Sequence, residues 1–178
     1  MTRFMNGAAR NGVLLALAVF VADQTSKALF VARYAAPDQP GGVSLLPFLR
    51  LVYTENYGVS WGMMTAHSDV QRWVLVAITV VISIGAAAWL ARESDRFEAL
   101  GLGCIVGGAA GNVCDRVRHG FVTDFINVHF GGWSPFLVFN VADAAITIGV
   151  LILLARALLA KGRERERGDV RKRRQDNA

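Results

Sequence analysis

The chain has 178 residues, 53% of them hydrophobic and only 19% charged, with a net charge of +5. That charged fraction is below the quarter usual in a soluble domain, and the apolar residues fall in four long blocks, the pattern of a multispanning membrane protein. Two cysteines, Cys104 and Cys114, lie together in one apolar block, so they read as reduced thiols, not a disulfide framework. His67, His119 and His129 lack metal-ligand spacing and no H-E-x-x-H occurs, which leaves zinc hydrolysis unsupported.

The first block predicts a span over about 12–32. It is uncharged from Gly12 to Ala22, then carries Asp23 and Lys27. These two are four residues apart, on one helix face, and read as an ion pair. A cleavable signal peptide is the competing reading, but Asp-Gln-Thr-Ser-Lys is a poor end for its apolar core. A long connector follows from about 33 to 72, turn-rich at Pro37, Pro40, Gly41 and Gly42. Its Val43–Tyr53 stretch suits short strands, so a small extramembrane β-like element is expected there. Asn56-Tyr57-Gly58 and Gly62 permit tight bends. For Asn56, a turn role and a substrate contact stand level.

The second span is predicted over 73–91 and the third over 99–114, separated by a charged connector, Arg92–Arg96. Gly103, Gly107 and Gly111 recur every four residues and mark a close-packing helix face. The stretch Arg116–Phe136 reads as a loop. The fourth span, 137–160, contains Asn140, Asp143 and Arg156, the last placed to snorkel to the interface. Trp61, Trp73 and Trp133 read as interfacial anchors. Residues 1–160 thus form one membrane domain. Residues 161–178, with eight basic and four acidic side chains, form a basic tail. Arg3, Arg10, the Arg92–Arg96 turn and this tail share one side, which the positive-inside rule makes cytoplasmic. Both termini are then inside and the two larger loops outside. A basic tail directly after a span marks membrane sidedness, so no nucleic-acid partner is expected.

Ionisable groups in spans cost roughly 2.5–3.5 kcal/mol each and so call for a cause. Asp23 has Lys27. Asp115 has Arg116 beside it, with Arg118 and His119 following, and reads as ion-paired. Asp124, in the outer loop, and Asp143 have no base within helical reach. Asn112, Asp115 and Arg116 share one face, as do Asn140 and Asp143. The topology brings all of them to one membrane boundary. Two carboxylates held close cannot easily both ionise, so one keeps a proton, the arrangement needed for general acid–base hydrolysis of an amide. Two other readings are a proton-coupled transporter and a non-catalytic assembly factor. The first lacks an inverted repeat, and the second leaves the Asp124/Asp143 pair without a role.

Five stretches together resemble the bacterial lipoprotein signal peptidases, or signal peptidase II: Asp23–Lys27, Asn56–Trp61, Gly107–Arg116, Val122–Phe125 and Phe139–Ala144. The resemblance implies a membrane all-α, four-helix, cofactor-free aspartyl endopeptidase of the inner membrane. Its substrates would be prolipoproteins carrying a diacylglyceryl cysteine, cut just before that cysteine, in contact with membrane lipid. Globomycin-type inhibitors would take the same site. Asp124 and Asp143 match the catalytic pair. Asn112, Arg116 and Asn140 match site-lining residues, and Asn56 and Gly58 the outer loop that closes on substrate. Asp23 and Lys27 match a supporting pair. Asp115, read as paired with Arg116, is likewise taken as structural support. Ser60-Trp61 stands where Ala-Phe is usual, and Ala144 where Ser is common.

Overall fold

The computed structural model describes residues 6–34, 42–58, 69–131 and 133–176, the last helix by its backbone alone beyond residue 161. Ser60, Trp61 and Gly62 lie outside the described residues. Four helices dominate: α1 (Gly7–Tyr34), α2 (Asp69–Leu90), α3 (Arg96–His119) and α4 (Val141–Asp176). Each contains a stretch long and apolar enough to cross a bilayer. Three strands, β1 (Val43–Leu46), β2 (Leu49–Asn56) and β3 (Val122–Val128), form an antiparallel sheet in the order β1-β2-β3.

Helix α3 is the central element and packs against the other three. Its glycines explain how. A Cβ at Gly103 or Gly107 would run into the α1 backbone at Gly12 or Ala16, and one at Gly108 would meet the carbonyl of Ala142 on α4. The expected glycine face therefore lies on α1, and a second face lies on α4. Without a hydrophobic drive between helices in lipid, such backbone approach is what holds them. The outward faces stay apolar and exposed, as at Leu14, Leu17, Val81 and Leu151.

The ends of α3 are set locally. Asp95 caps its N-terminus, accepting from the backbone N–H groups of Phe97 (2.9 Å) and Glu98 (3.1 Å). Gly120, at φ 88°, ends it in a left-handed turn that returns an N–H to the Arg116 carbonyl. Arg156 ion-pairs with the Asp95 carboxylate, tying α4 to the start of α3.

Two expectations are corrected. The stretch 116–136 is not a plain loop. It completes the last turn of α3 and then forms β3, paired with β2 in a register that sets Thr54 opposite Asp124 and Asn56 opposite Val122. Asp124 therefore sits on a strand. Helix α4 starts at Val141, not 137, because the residues before it pair with β3. Phe139 N–H donates to Ile126 O (3.0 Å), and Phe139 O accepts from the N–H groups of Ile126 (2.8 Å) and Phe125 (3.1 Å). This extended pairing lays the start of α4 against the strand that carries Asp124. At its other end the α4 backbone continues helically through residue 176.

Candidate active site

The sheet and the ends of α3 and α4 converge on five polar side chains. Asn140 is the hub and is fully buried. It caps α4 in a reciprocal box. Its Oδ1 accepts from Asp143 N–H (2.9 Å), and its own N–H donates to Asp143 Oδ2 (3.3 Å). The Asn140 Nδ2 group also donates to Asp124 Oδ1 at 2.6 Å. One residue thus links the two carboxylates across a strand and a helix, Asp124 through its side-chain amide and Asp143 through its backbone N–H. Asn112, from α3, donates to Asp143 Oδ1 (2.8 Å). Asn56, at the end of β2, donates to Asp124 Oδ2 (2.9 Å). Its Oδ1 accepts from Gly58 N–H (2.8 Å), and Gly58 has a φ of 95°, which a side chain would strain. Asn56 is therefore a turn residue and also a hydrogen-bond partner of Asp124.

Asp124 is 1% exposed. Burial pushes its carboxyl up to about 6; the hydrogen bond from Asn56 opposes the shift, the charge of Asp143 adds to it, and Asn140 and Lys27 hold it down. A buried carboxyl beside another acid, poised near neutrality, is able to exchange protons at physiological pH.

Arg116 is half-buried in the field of Asp143, Asp124 and Asp115, yet its Nε has no hydrogen-bond partner among the described residues. Asp115 is paired, but not with Arg116, Arg118 or His119. Its partner is Lys27, at 2.9 Å. Lys27 also pairs with Asp23 (2.8 Å), as the four-residue spacing predicts. Gln24 was not singled out by its sequence. Its Nε2 lies 3.1 Å from Asp23 Oδ2 and 2.9 Å from Asp115 Oδ1. Only its position beside Asp23 could have drawn attention to it.

A cleft of about 580 Å³ opens beside Asp143, lined by Val128, Phe136, Phe139, Ala144, Thr147 and Ile148 among others. Asp143 stands at its polar end and the remaining wall is almost wholly apolar. The cleft can therefore hold an apolar chain next to the Asp143 carboxylate.

The family described as Signal peptidase (SPase) II matches residues 15–159. The lipoprotein signal peptidase of Rhizorhabdus wittichii is 49% identical over 150 residues, covering 84% of this chain and 87% of that protein. This chain belongs to the signal peptidase II family. The lipoprotein signal peptidase of Sphingopyxis alaskensis is 43% identical, with 84% and 86% covered. A solved bacterial membrane enzyme, determined by the in meso method at 1.9 Å resolution, superposes with a TM-score of 0.72 at 27% identity, covering 84% of this chain and 93% of that one. As a signal peptidase II, the chain is an aspartic-type peptidase of lipoprotein processing, multi-pass in the bacterial inner membrane. Its Asp115, Asp124 and Asp143 lie in one buried hydrogen-bond network.

Proposed function

We propose that Asp124 and Asp143 are the catalytic pair, and that they cleave diacylglyceryl-modified prolipoproteins just before the lipidated cysteine. The observation that carries this reading is the double engagement of Asn140, which holds one carboxylate by its amide and the other by its cap. Asp143 takes a proton from water as the oxygen attacks the scissile carbonyl, and Asp124 gives its proton to the carbonyl oxygen. On collapse, the proton on Asp143 passes to the leaving nitrogen and Asp124 recovers one from the tetrahedral intermediate, so the pair ends as it began.

Asn112 and Asn140 line the site and orient the carboxylates. Arg116 supplies a positive charge toward the substrate backbone. Asn56 and Gly58 belong to the loop that closes on substrate. The cleft beside Asp143 suits an acyl chain, and globomycin-type peptides compete for the same space. Anchoring by lipid makes the bond local to the site and reduces the entropic cost of orienting it.

The basic residues support an orientation with both termini cytoplasmic and this site at the outer face. Residues 1–160 act as the peptidase domain and 161–178 as a basic cytoplasmic tail. Purified protein, incubated with a prolipoprotein with and without its diacylglyceryl group, tests the substrate claim. The lipidated form is cut and the released mature chain begins at the modified cysteine. Equal cleavage of the unlipidated form contradicts the claim.

A further inference from the structure

Beneath the site lies a second polar layer that the reaction itself does not touch. Asp23, Lys27 and Asp115 have side chains 0%, 6% and 3% exposed. Two carboxylates share one ammonium. Burying ions costs several kcal/mol each, and apolar packing commonly serves stability as well. The fold nevertheless makes room for it. A Cβ at Gly111 would collide with the Asp23 carboxylate.

The hydrogen bonds leaving this layer are specific. Asp23 Oδ1 accepts from the N–H of Ala142 (3.0 Å), the residue immediately before Asp143. Asp115 Oδ2 accepts from the N–H of Thr123 (3.2 Å), the residue immediately before Asp124. Lys27 Nζ joins the two carboxylates and also donates to Asn112 Oδ1 (3.3 Å). That contact turns the Asn112 NH₂ toward Asp143, because the amide oxygen is committed to the ammonium.

We infer that Asp23, Lys27 and Asp115 form a clamp that sets the separation of Asp124 and Asp143 by holding the backbone N–H before each. This rests on the reading of those two aspartates as the catalytic pair. The three are positioning residues. The clamp joins α1, α3, β3 and α4, so it fixes a strand and a helix that have no common hydrogen-bond ladder beyond the Phe139 segment. A misplacement of about 1 Å between reacting groups is enough to cost on the order of 100-fold in rate.

Asp115→Ala and Asp23→Ala each remove one arm, and Asp115→Asn and Asp23→Asn keep volume and an acceptor oxygen but drop the charge that holds Lys27. Turnover is measured on lipidated substrate, with thermal unfolding as the check on folding. The alanine variants should lose about 100-fold in kcat and the asparagine variants roughly tenfold, with KM within about twofold of wild type. Amide exchange should rise selectively in the 121–126 segment of the Asp115 variants and at the start of α4 in the Asp23 variants. If an alanine variant does not fold, the asparagine variants decide. Wild-type kcat in either folded asparagine variant, or a loss confined to KM, overturns the clamp. Asp124→Asn and Asp143→Asn run alongside. If they are inactive while the clamp variants match wild type, only the clamp fails. If either is active, the catalytic reading itself fails.

Discussion

Asn140 Nδ2 lies 2.6 Å from Asp124 Oδ1, and the same side chain caps the helix that carries Asp143. One residue therefore serves the architecture of α4 and the alignment of the site. Asn140→Ala should cost about 1 kcal/mol of stability through the lost cap. Its effect on turnover should be far larger, on the order of 100-fold in kcat, because both carboxylates lose their common reference. Thermal unfolding and steady-state kinetics on the same preparation separate the two effects.

The pH dependence follows from Asp124. Its carboxyl is raised to about 6, chiefly by burial, and the Asn56 hydrogen bond holds it down. If Asp124 supplies the proton to the carbonyl oxygen, kcat/KM falls as pH rises through the pKa of the free enzyme, about 6. Asn56→Ala removes a donor that favours the charged form, so the carboxyl rises further and the alkaline limb moves to higher pH. A pH profile of kcat/KM for both proteins checks the direction. A downward move contradicts the assignment of the proton to Asp124.

The close approach of α3 to α1 predicts a stability effect remote from the chemistry. Gly107→Val would force a branched side chain into the α1 backbone at Ala16. Overpacking of this kind costs about 1–3 kcal/mol, and more where the obstacle is backbone. The variant should show a lower unfolding temperature and a reduced yield of folded protein. Gly85→Ala is the control, since nothing lies within 4 Å of its added Cβ.

Removal of residues 162–178 should leave kcat and KM for lipidated substrate within about twofold of the full chain, because the site lies at the opposite end of α4. Metal chelators should also leave the rate unchanged. Inhibition by a chelator would point to metal-assisted hydrolysis instead.

The four helices were legible because each is an apolar block long enough to span a bilayer. Their boundaries were less so. Strand β3 was read as loop because its strand character depends on pairing with β2, nearly seventy positions earlier, and no local signal in Val122–Val128 reveals that partner. The start of α4 was placed four residues early because Leu137 to Phe139 are apolar, while Phe139 pairs with β3 in an extended segment ahead of the helix. The two aspartates stood out by elimination, since each lacked a nearby base. The same reasoning assigned Asp115 to its sequence neighbour Arg116. The true partner, Lys27, is brought in from α1 by the glycine contacts of α3, and proximity along the chain carries no trace of it. Gln24 escaped notice for the same reason.

The central claim is that Asp124 and Asp143 act as one unit. The most direct measurement is the single-turnover rate of cleavage of a diacylglyceryl prolipoprotein by wild type, Asp124→Asn, Asp143→Asn and the double variant. Each single variant should fall by at least about 1,000-fold, and the double variant should be no worse than the singles, since removing either carboxylate already disables the pair. A single variant that retains wild-type cleavage, or losses that simply multiply in the double variant, would contradict it.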